Sequence, residues 1–297
     1  MTELLGAWRW ETEFGTAQSV SKPKHEKAVL RLLEHDKILL DTETDGLGNH
    51  RRMRLLQVGW KDEAWLLDPG QHQALIREIA NSSVTFIAHN APFDLMTIGL
   101  WLGDHDPEVA YHYAQQKALC GEVIDTMATE QMRSSEQRVK SLSRLAGEQG
   151  VHNFYEDQFN DEAARLGISE EDKYADIPLN SPYYLRYSAH DIWQLQAAYQ
   201  ANKKHHLKKS VQTEVIVRVL YEELSSRGMI LDYPKADALH SRMKERQTKV
   251  LKRLAKVEIE KVGSAAQIAS ALEEAGAVLT ARTPTGKPQV NLSLIHI

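Results

Sequence analysis

The chain has 297 residues, 42% of them apolar, and a formal net charge of −5. That length and apolar share support at least one full hydrophobic core in one or two domains, and the chain is too polar to be fibrous or membrane-bound. No stretch approaches the roughly 20 apolar residues of a membrane span, residues 1–15 lack the basic start and apolar run of a signal peptide, and the single cysteine, Cys120, excludes an intrachain disulfide or a zinc site built on two thiolates. The expectation is a cytoplasmic, monomeric protein without a membrane partner, in which Cys120 serves as a small buried apolar residue.

The average charge hides an asymmetry. Residues 1–200 carry 19 Lys and Arg against 31 Asp and Glu, whereas residues 201–297 carry 17 against 10, so an acidic front precedes a basic back. Residues 37–40 (KILL), 55–60 (LLQVGW) and 64–67 (AWLL) are short apolar runs separated by polar clusters, which predicts a three-stranded meander. Residues 71–80 have helical spacing, 84–88 (VTFIA) read as a fourth strand, and Pro92 opens a helix reaching about Leu102. Residues 139–149 and 182–203 read as further helices, the second capped by Asn180 or Ser181 with Pro182 in its first turn. Residues 151–179, rich in Asp, Glu and Asn, read as an irregular surface excursion. Beyond the basic run 203–209, a helix over 213–227 stops at Gly228. A long helix over 234–262 follows, with apolar positions at Ala236, Leu239, Met243, Val250, Leu254 and Val257. The order of elements indicates an α/β fold with a mixed sheet flanked by helices, followed by a partial all-α region.

The chemistry-bearing residues lie where strands end. The first strand runs into Asp41-Thr42-Glu43-Thr44-Asp45-Gly46, and residues i and i+2 of a strand share a face, so Asp41 and Glu43 point the same way. Two anions so placed repel each other unless a cation lies between them. The fourth strand runs into His89-Asn90-Ala91-Pro92-Phe93-Asp94, which puts Asp94 in the first turn of the next helix. In Tyr187-Ser188-Ala189-His190-Asp191 the spacing of four puts Tyr187 and Asp191 on one helix face, with His190 about 100° around it, in a structural or surface role. Asp45 reads as a turn residue.

DTETDGL, HNAPFD and YSAHD, in this order, resemble the three exonuclease motifs of the DEDD superfamily, in the tyrosine subtype typical of proofreading domains of family A DNA polymerases. Each motif alone is weak; in order, behind matching strand and helix patterns, they are specific, and the resemblance spans residues 37–199. It implies a ribonuclease H-like fold and 3′-to-5′ hydrolysis of phosphodiesters with two divalent cations, Mg²⁺ or Mn²⁺, held about 3.5 to 4 Å apart by carboxylates. Asp41 would bridge both cations, Glu43 and Asp191 would complete the site nearer the attacking water, Asp94 would hold the second cation, and Tyr187 would orient the water. Thr42, Leu47, Asn90 and Phe93 would contact substrate, Leu47 as a wedge against the terminal bases and Asn90 at the terminal sugar or phosphate. Asp125, in residues 123–127 (VIDTM), would support the site from behind the ligands.

Residues 214–232 and 264–288 resemble the start of the polymerase thumb, and a long basic helix there suits a DNA backbone, so the expected partners are a single-stranded DNA 3′ end and, through the basic back third, primer-template DNA. The lysines of 203–209 could also meet phosphate. The resulting division is a lead-in over 1–36, an exonuclease domain over 37–205, a thumb-like start of a polymerase domain over 206–291 and a non-native tail over 292–297, whose LSLIHI resembles the translation of a transposon-end adapter. On this reading the parent is a phage-type DNA polymerase I-like protein truncated early in its thumb, without a polymerase active site in this chain. Two other readings stay open: a stand-alone ribonuclease D-like exoribonuclease, and an inactive exonuclease fold that binds DNA.

Overall fold

The computed structural model describes residues 5–290 except 49, 135–140, 260, 262 and 284–285. Its elements, in chain order, are β1 (Arg9–Thr12), β2 (Gly15–Ser19), α1 (Pro23–Leu32), β3 (Lys37–Thr44), β4 (Met53–Trp60), β5 (Glu63–Leu67), α2 (Gln73–Asn81), β6 (Thr85–Ala88), α3 (Ala91–Leu102), α4 (Pro107–Leu119), β7 (Val123–Asp125), α5 (Thr126–Arg133), α6 (Leu142–Gly147), α7 (Tyr155–Arg165), α8 (Lys173–Asp176), α9 (Pro182–Ala201), α10 (Lys209–Arg227), α11 (Tyr233–Leu254) and α12 (Ala265–Glu274). The strands form one mixed sheet in the order β1-β2-β5-β4-β3-β6-β7, with β3, β4 and β5 antiparallel and β6 and β7 added parallel beside β3. The chain divides into two compact units, Met1–Gly228 and Met229–Ile297.

The continuous apolar runs of the central strands follow from burial on both faces of the sheet. Successive side chains alternate between faces. Ile38, Leu40, Leu56, Val58, Leu67 and Phe86 join a core beneath α2, α3 and α4, while Leu39, Leu55, Leu66 and Ile87 join a second core with Leu185, Ala189, Ile192 and Leu195 of α9. Each such side chain contributes about 1.5 to 3 kcal/mol on burial. Gly59 in β4 lets α9 approach: a Cβ there would meet Glu63 O at 2.4 Å and Ile192 Cγ2 at 2.7 Å. Helix α9 starts where Ser181 Oγ accepts the Tyr184 N–H, with Pro182 in its first turn. No helix among the described residues is long and apolar enough to cross a membrane.

Several expectations are corrected. Residues 1–36 are more than a lead-in: β1 pairs with β2, and β2 pairs with β5, extending the sheet. Residues 151–179 are not irregular, because Phe159, Ala163 and Ile177 recur at spacings that bury them with Tyr184, and α7 and α8 form around that cluster. The helix placed at 139–149 is α6 over Leu142–Gly147, with 139 and 140 outside the described residues. Helix α10 begins at Lys209, four residues earlier than expected, and packs on α3, α4 and α5 through Val211, Val215 and Val219, within the compact unit Met1–Gly228. Helix α11 ends at Leu254, followed by a 3₁₀ turn over Ala255–Val257, and no residue of α11 is buried, with Leu239, Met243 and Val250 exposed. Residue 262 and the tail 292–297 lie outside the described residues. Cys120 follows α4 and is exposed rather than buried.

Candidate active site

The antiparallel pairing of β3 with β4 sets Asp41 opposite Gln57 and Glu43 opposite Leu55, with a register shift at Glu43/Thr44 where β3 leaves the ladder. The same edge of the sheet receives the end of β6, where Asn90 adopts a left-handed conformation (φ 69°) that turns the chain into α3 and delivers Asp94 one turn later. Helix α9 crosses this edge. Asp41, Glu43, Asp94 and Asp191 thereby line one pocket of about 290 Å³ with Tyr187, and ligand oxygens of Asp41, Glu43 and Asp191 lie within 4.8 Å of one another. Asp94 stands apart from that triad, buried, with its Oδ1 accepting the Thr42 hydroxyl at 2.7 Å.

The residues around the carboxylates fix them. Gln57 Nε2 donates to Glu43 Oε1 at 3.2 Å. The Tyr187 ring stacks on Phe159, with centroids 5.1 Å apart and planes at 18°. It also packs against Tyr174, with ring centroids 6.3 Å apart, and lines the pocket beside Asp191. Asp125 is fully buried and its oxygens accept four backbone N–H groups, those of Asn90, Ala91, Met127 and Ala128, at 2.8 to 3.2 Å. It therefore caps α5 and also pins the β6–α3 turn that carries Asn90 and Asp94.

Among the expected substrate contacts, Thr42 is buried with its hydroxyl committed to Asp94, while Asn90 and Phe93 line the carboxylate pocket. Leu47 is 85% exposed and, with Phe93 and Tyr174, lines an adjoining pocket of about 560 Å³. Asp45 closes a turn by accepting the Arg52 N–H. His190 faces away from the pocket, packed edge-on against Phe14, Tyr155 and Trp193, with Nε2 2.9 Å from the His152 carbonyl and its pKa lowered by burial. His206, in the basic run, is buried and stacked on Tyr199, whereas Lys203, Lys204, Lys208 and Lys209 are exposed.

A family model described as 3′-5′ exonuclease matches residues 18–204. The chain belongs to the 3′-5′ exonuclease family of family A DNA polymerases. A DNA polymerase of Mycobacterium phage L5 is 24% identical over 271 residues, covering 87% of this chain and 45% of the phage protein, so the chain spans about half the length of that curated relative. Two structures of Trypanosoma brucei RNase D share the fold. One, in complex with GMP, has a TM-score of 0.51 at 16% identity over 73% of this chain and 66% of that one; the other has 0.52 at 14% over 75% and 77%.

The electrostatics of the exonuclease site follow from crowding four carboxyls in one partly dry pocket. Burial pushes Asp41 up to about 7, and burial with the charge of Asp41 pushes Glu43 up to about 8. Asp94 and Asp191 are also driven well above the carboxylate range, by burial first and then by Asp41. Among the described residues no lysine or arginine ion-pairs with any of the four. Converging carboxylate oxygens, with only the longer-range charges of Arg54 at Glu43 and Arg51 at Asp94 to offset them, fit a hard divalent cation, and Asp41, Glu43 and Asp191 are grouped closely enough to share one.

Sequence reasoning passed over Asn153, Glu156 and Gln194, which line the same pocket, as do residues 141–143. Gln194 had a signal: Tyr187, Asp191 and Gln194 repeat at the spacing of a single helix face. Asn153 and Glu156 had none, since α7 reaches the pocket only through the Phe159 cluster.

Proposed function

We propose that the chain removes nucleotides from the 3′ end of single-stranded DNA with two divalent cations, as the proofreading part of a family A DNA polymerase. The observation that carries this reading is the convergence of Asp41, Glu43 and Asp191, with Asp94 on the same pocket and Tyr187 beside Asp191. Bound there, divalent cations lower the pKa of a water and offset charge at the leaving oxygen.

The chain's own residues do the rest. Asp41, Glu43 and Asp191 would hold the cations with Asp94, Gln57 holds Glu43 in place, and Thr42 orients Asp94. The Tyr187 hydroxyl stays protonated, its pKa raised by burial and by Asp191, and so positions the attacking water as a hydrogen-bonding group rather than as a base. Asn90, Phe93 and Leu47 border the pockets that would take the terminal nucleotides. The phage polymerase relative supports a polymerase parent, in which residues 206–291 would begin the thumb and engage primer-template DNA.

The test is degradation of a 5′-labelled single strand with Mg²⁺ or Mn²⁺. A ladder shortening from the 3′ end, slowed by a 3′-phosphate, is expected. An RNA strand degraded faster than DNA of the same sequence would move the reading to a ribonuclease D-like enzyme, and loss of neither strand would leave an inactive binding fold.

A further inference from the structure

The basic run between α9 and α10 is a built surface. Asn202 and His206 are buried, whereas Lys203, Lys204, Lys208 and Lys209 are exposed. Asn202 Nδ2 donates to Glu130 Oε2 of α5 at 2.9 Å. The His206 ring stacks on Tyr199 of α9, with centroids 4.8 Å apart and planes at 12°, and its Nε2 and Nδ1 lie 2.8 Å from the Tyr199 carbonyl and the Thr129 hydroxyl. Gln212 Nε2 of α10 donates to the His206 carbonyl at 3.1 Å. A linker left to solvent has no need of such anchors, so the lysines project from a fixed turn. Residues 202–209 hold four lysines and no acid, and among the described residues none of the four forms an ion pair. Beside them Arg133, His205, Lys208 and Ser210 line a hollow of about 180 Å³ that no acidic side chain lines. The rest of the first unit is acidic, with 25 Lys and Arg against 34 Asp and Glu over residues 1–228. Such a body repels the phosphates of its own substrate, and a cationic island on it offers them a landing place. Unpaired cations on a fixed turn suit a phosphate backbone, which binds by releasing counterions and needs no shaped pocket.

We infer that this turn is a foothold for single-stranded nucleic acid, holding the backbone of the strand whose 3′ end occupies the carboxylate pocket. That the strand is the one being trimmed rests on the exonuclease reading above. Helix α9 sets the distance: it carries Asp191 at the pocket and Ala201 at the start of the turn, and ten residues at 1.5 Å each span about 15 Å. The Tyr199 ring lies 6.4 Å from that of Trp60, at the end of β4 away from Gln57 and the carboxylates. A stacked strand rises about 3.4 Å per nucleotide, so only a strand of more than about 5 nucleotides touches pocket and foothold together.

The experiment uses the full chain with Lys203, Lys204, Lys208 and Lys209 all changed to Gln, and a control with the same four changed to Arg. Binding of labelled single-stranded DNA of about 4 and about 20 nucleotides is read by fluorescence anisotropy in EDTA, and kcat and KM are read with Mg²⁺. The Gln variant should bind the long strand about 10-fold more weakly at moderate salt, with the slope of log affinity against log salt shallower by about 0.7 for each phosphate released. Its KM on the long strand should rise in step, while kcat and the KM of the short strand stay unchanged. The Arg variant keeps the charge and should bind like the parent chain. Unchanged affinity and slope in the Gln variant would overturn the inference and leave an acidic protein as the occupant of the surface. Equal losses on both strand lengths, or a fall in kcat, would also overturn it, because the turn would then be supporting the pocket. A parent chain that degrades neither strand, with long-strand affinity still lost in the Gln variant, would remove the exonuclease reading and leave the foothold standing.

Discussion

The two compact units use charge in opposite ways. Residues 1–228 carry 25 Lys and Arg against 34 Asp and Glu, and five of those acids line one pocket at a cost the fold tolerates. Residues 229–297 carry 11 against 7, and α11 holds its charges and its apolar side chains alike at the surface, with none of its residues buried. The first unit gives up stability to preorganise a site and regains it through two cores on either side of a sheet. The second presents a long amphipathic, basic helix suited to a partner. Chemistry should therefore break with single substitutions in the first unit, and affinity should change gradually with charge in the second.

The largest effect is expected at Asp41. If Asp41 is the ligand the cations share, Asp41→Ala should lower hydrolysis by at least about 10³-fold while abolishing cation binding in calorimetry. Tyr187→Phe comes next: it removes no ligand and should slow turnover by about 10²-fold with cation affinity retained. Equal loss of cation binding in both would make Tyr187 structural and erase the distinction between holding the metal and placing the water.

Much of this contrast is legible in the amino-acid sequence. The strands at 37–44, 53–60 and 63–67 announce themselves by apolar runs, and of the three motifs two place their carboxylates at a strand end and a helix start while the third sets Tyr187 and Asp191 on one face of α9. The strands β1 and β2 are not legible, since Arg9–Thr12 and Gly15–Ser19 lack strong apolar alternation and are recruited by the edge of β5. The polar composition of 151–179 conceals α7, whose few apolar residues matter only because Tyr184 meets them from α9. The four-way capping by Asp125 is likewise a tertiary fact, joining positions 35 residues apart.

Asp125 offers a smaller test within the first unit. Asp125→Ala orphans four backbone N–H groups in a buried turn and should cost about 3 kcal/mol in urea unfolding. Because the turn carries Asp94, activity should fall even under conditions where the variant remains folded. Asp125→Asn, which keeps acceptor capacity, should recover part of the stability.

Removing metal tests the crowding of the acids directly. Asp41 and Glu43 titrate near 7 and 8 in the folded chain but near 4 when unfolded, so the metal-free fold binds extra protons between about pH 4 and 8. A raised folded pKa gives stability that is present at low pH and lost as pH rises through the folded value. In EDTA the Tm should thus fall from about pH 4 to about pH 8 and level off above it. Saturating Mn²⁺ should raise the Tm most at the alkaline end, where the ligands are ionised, and its binding should release protons. A Tm difference independent of pH would show that the four carboxyls are not the groups the cation engages.

The smallest effect is expected in the second unit, where Lys249, Lys252 and Arg253 lie exposed on the last turns of α11. If this helix holds a nucleic-acid backbone, each charge contributes through counterion release rather than by touching a reacting atom. Replacing all three by Gln should raise KM for a primer-template a few-fold at moderate salt and leave kcat unchanged. The diagnostic is the slope of log affinity against log salt, which should become shallower by about 0.7 to 0.9 for each phosphate no longer neutralised. A change in kcat at unchanged slope would mean that the helix affects the catalytic unit itself, and the division between a unit for chemistry and a unit for grip would fail. An unchanged KM and slope would remove α11 from the nucleic-acid interface and point instead to its apolar positions, Leu239, Met243 and Val250, as the face that needs a partner.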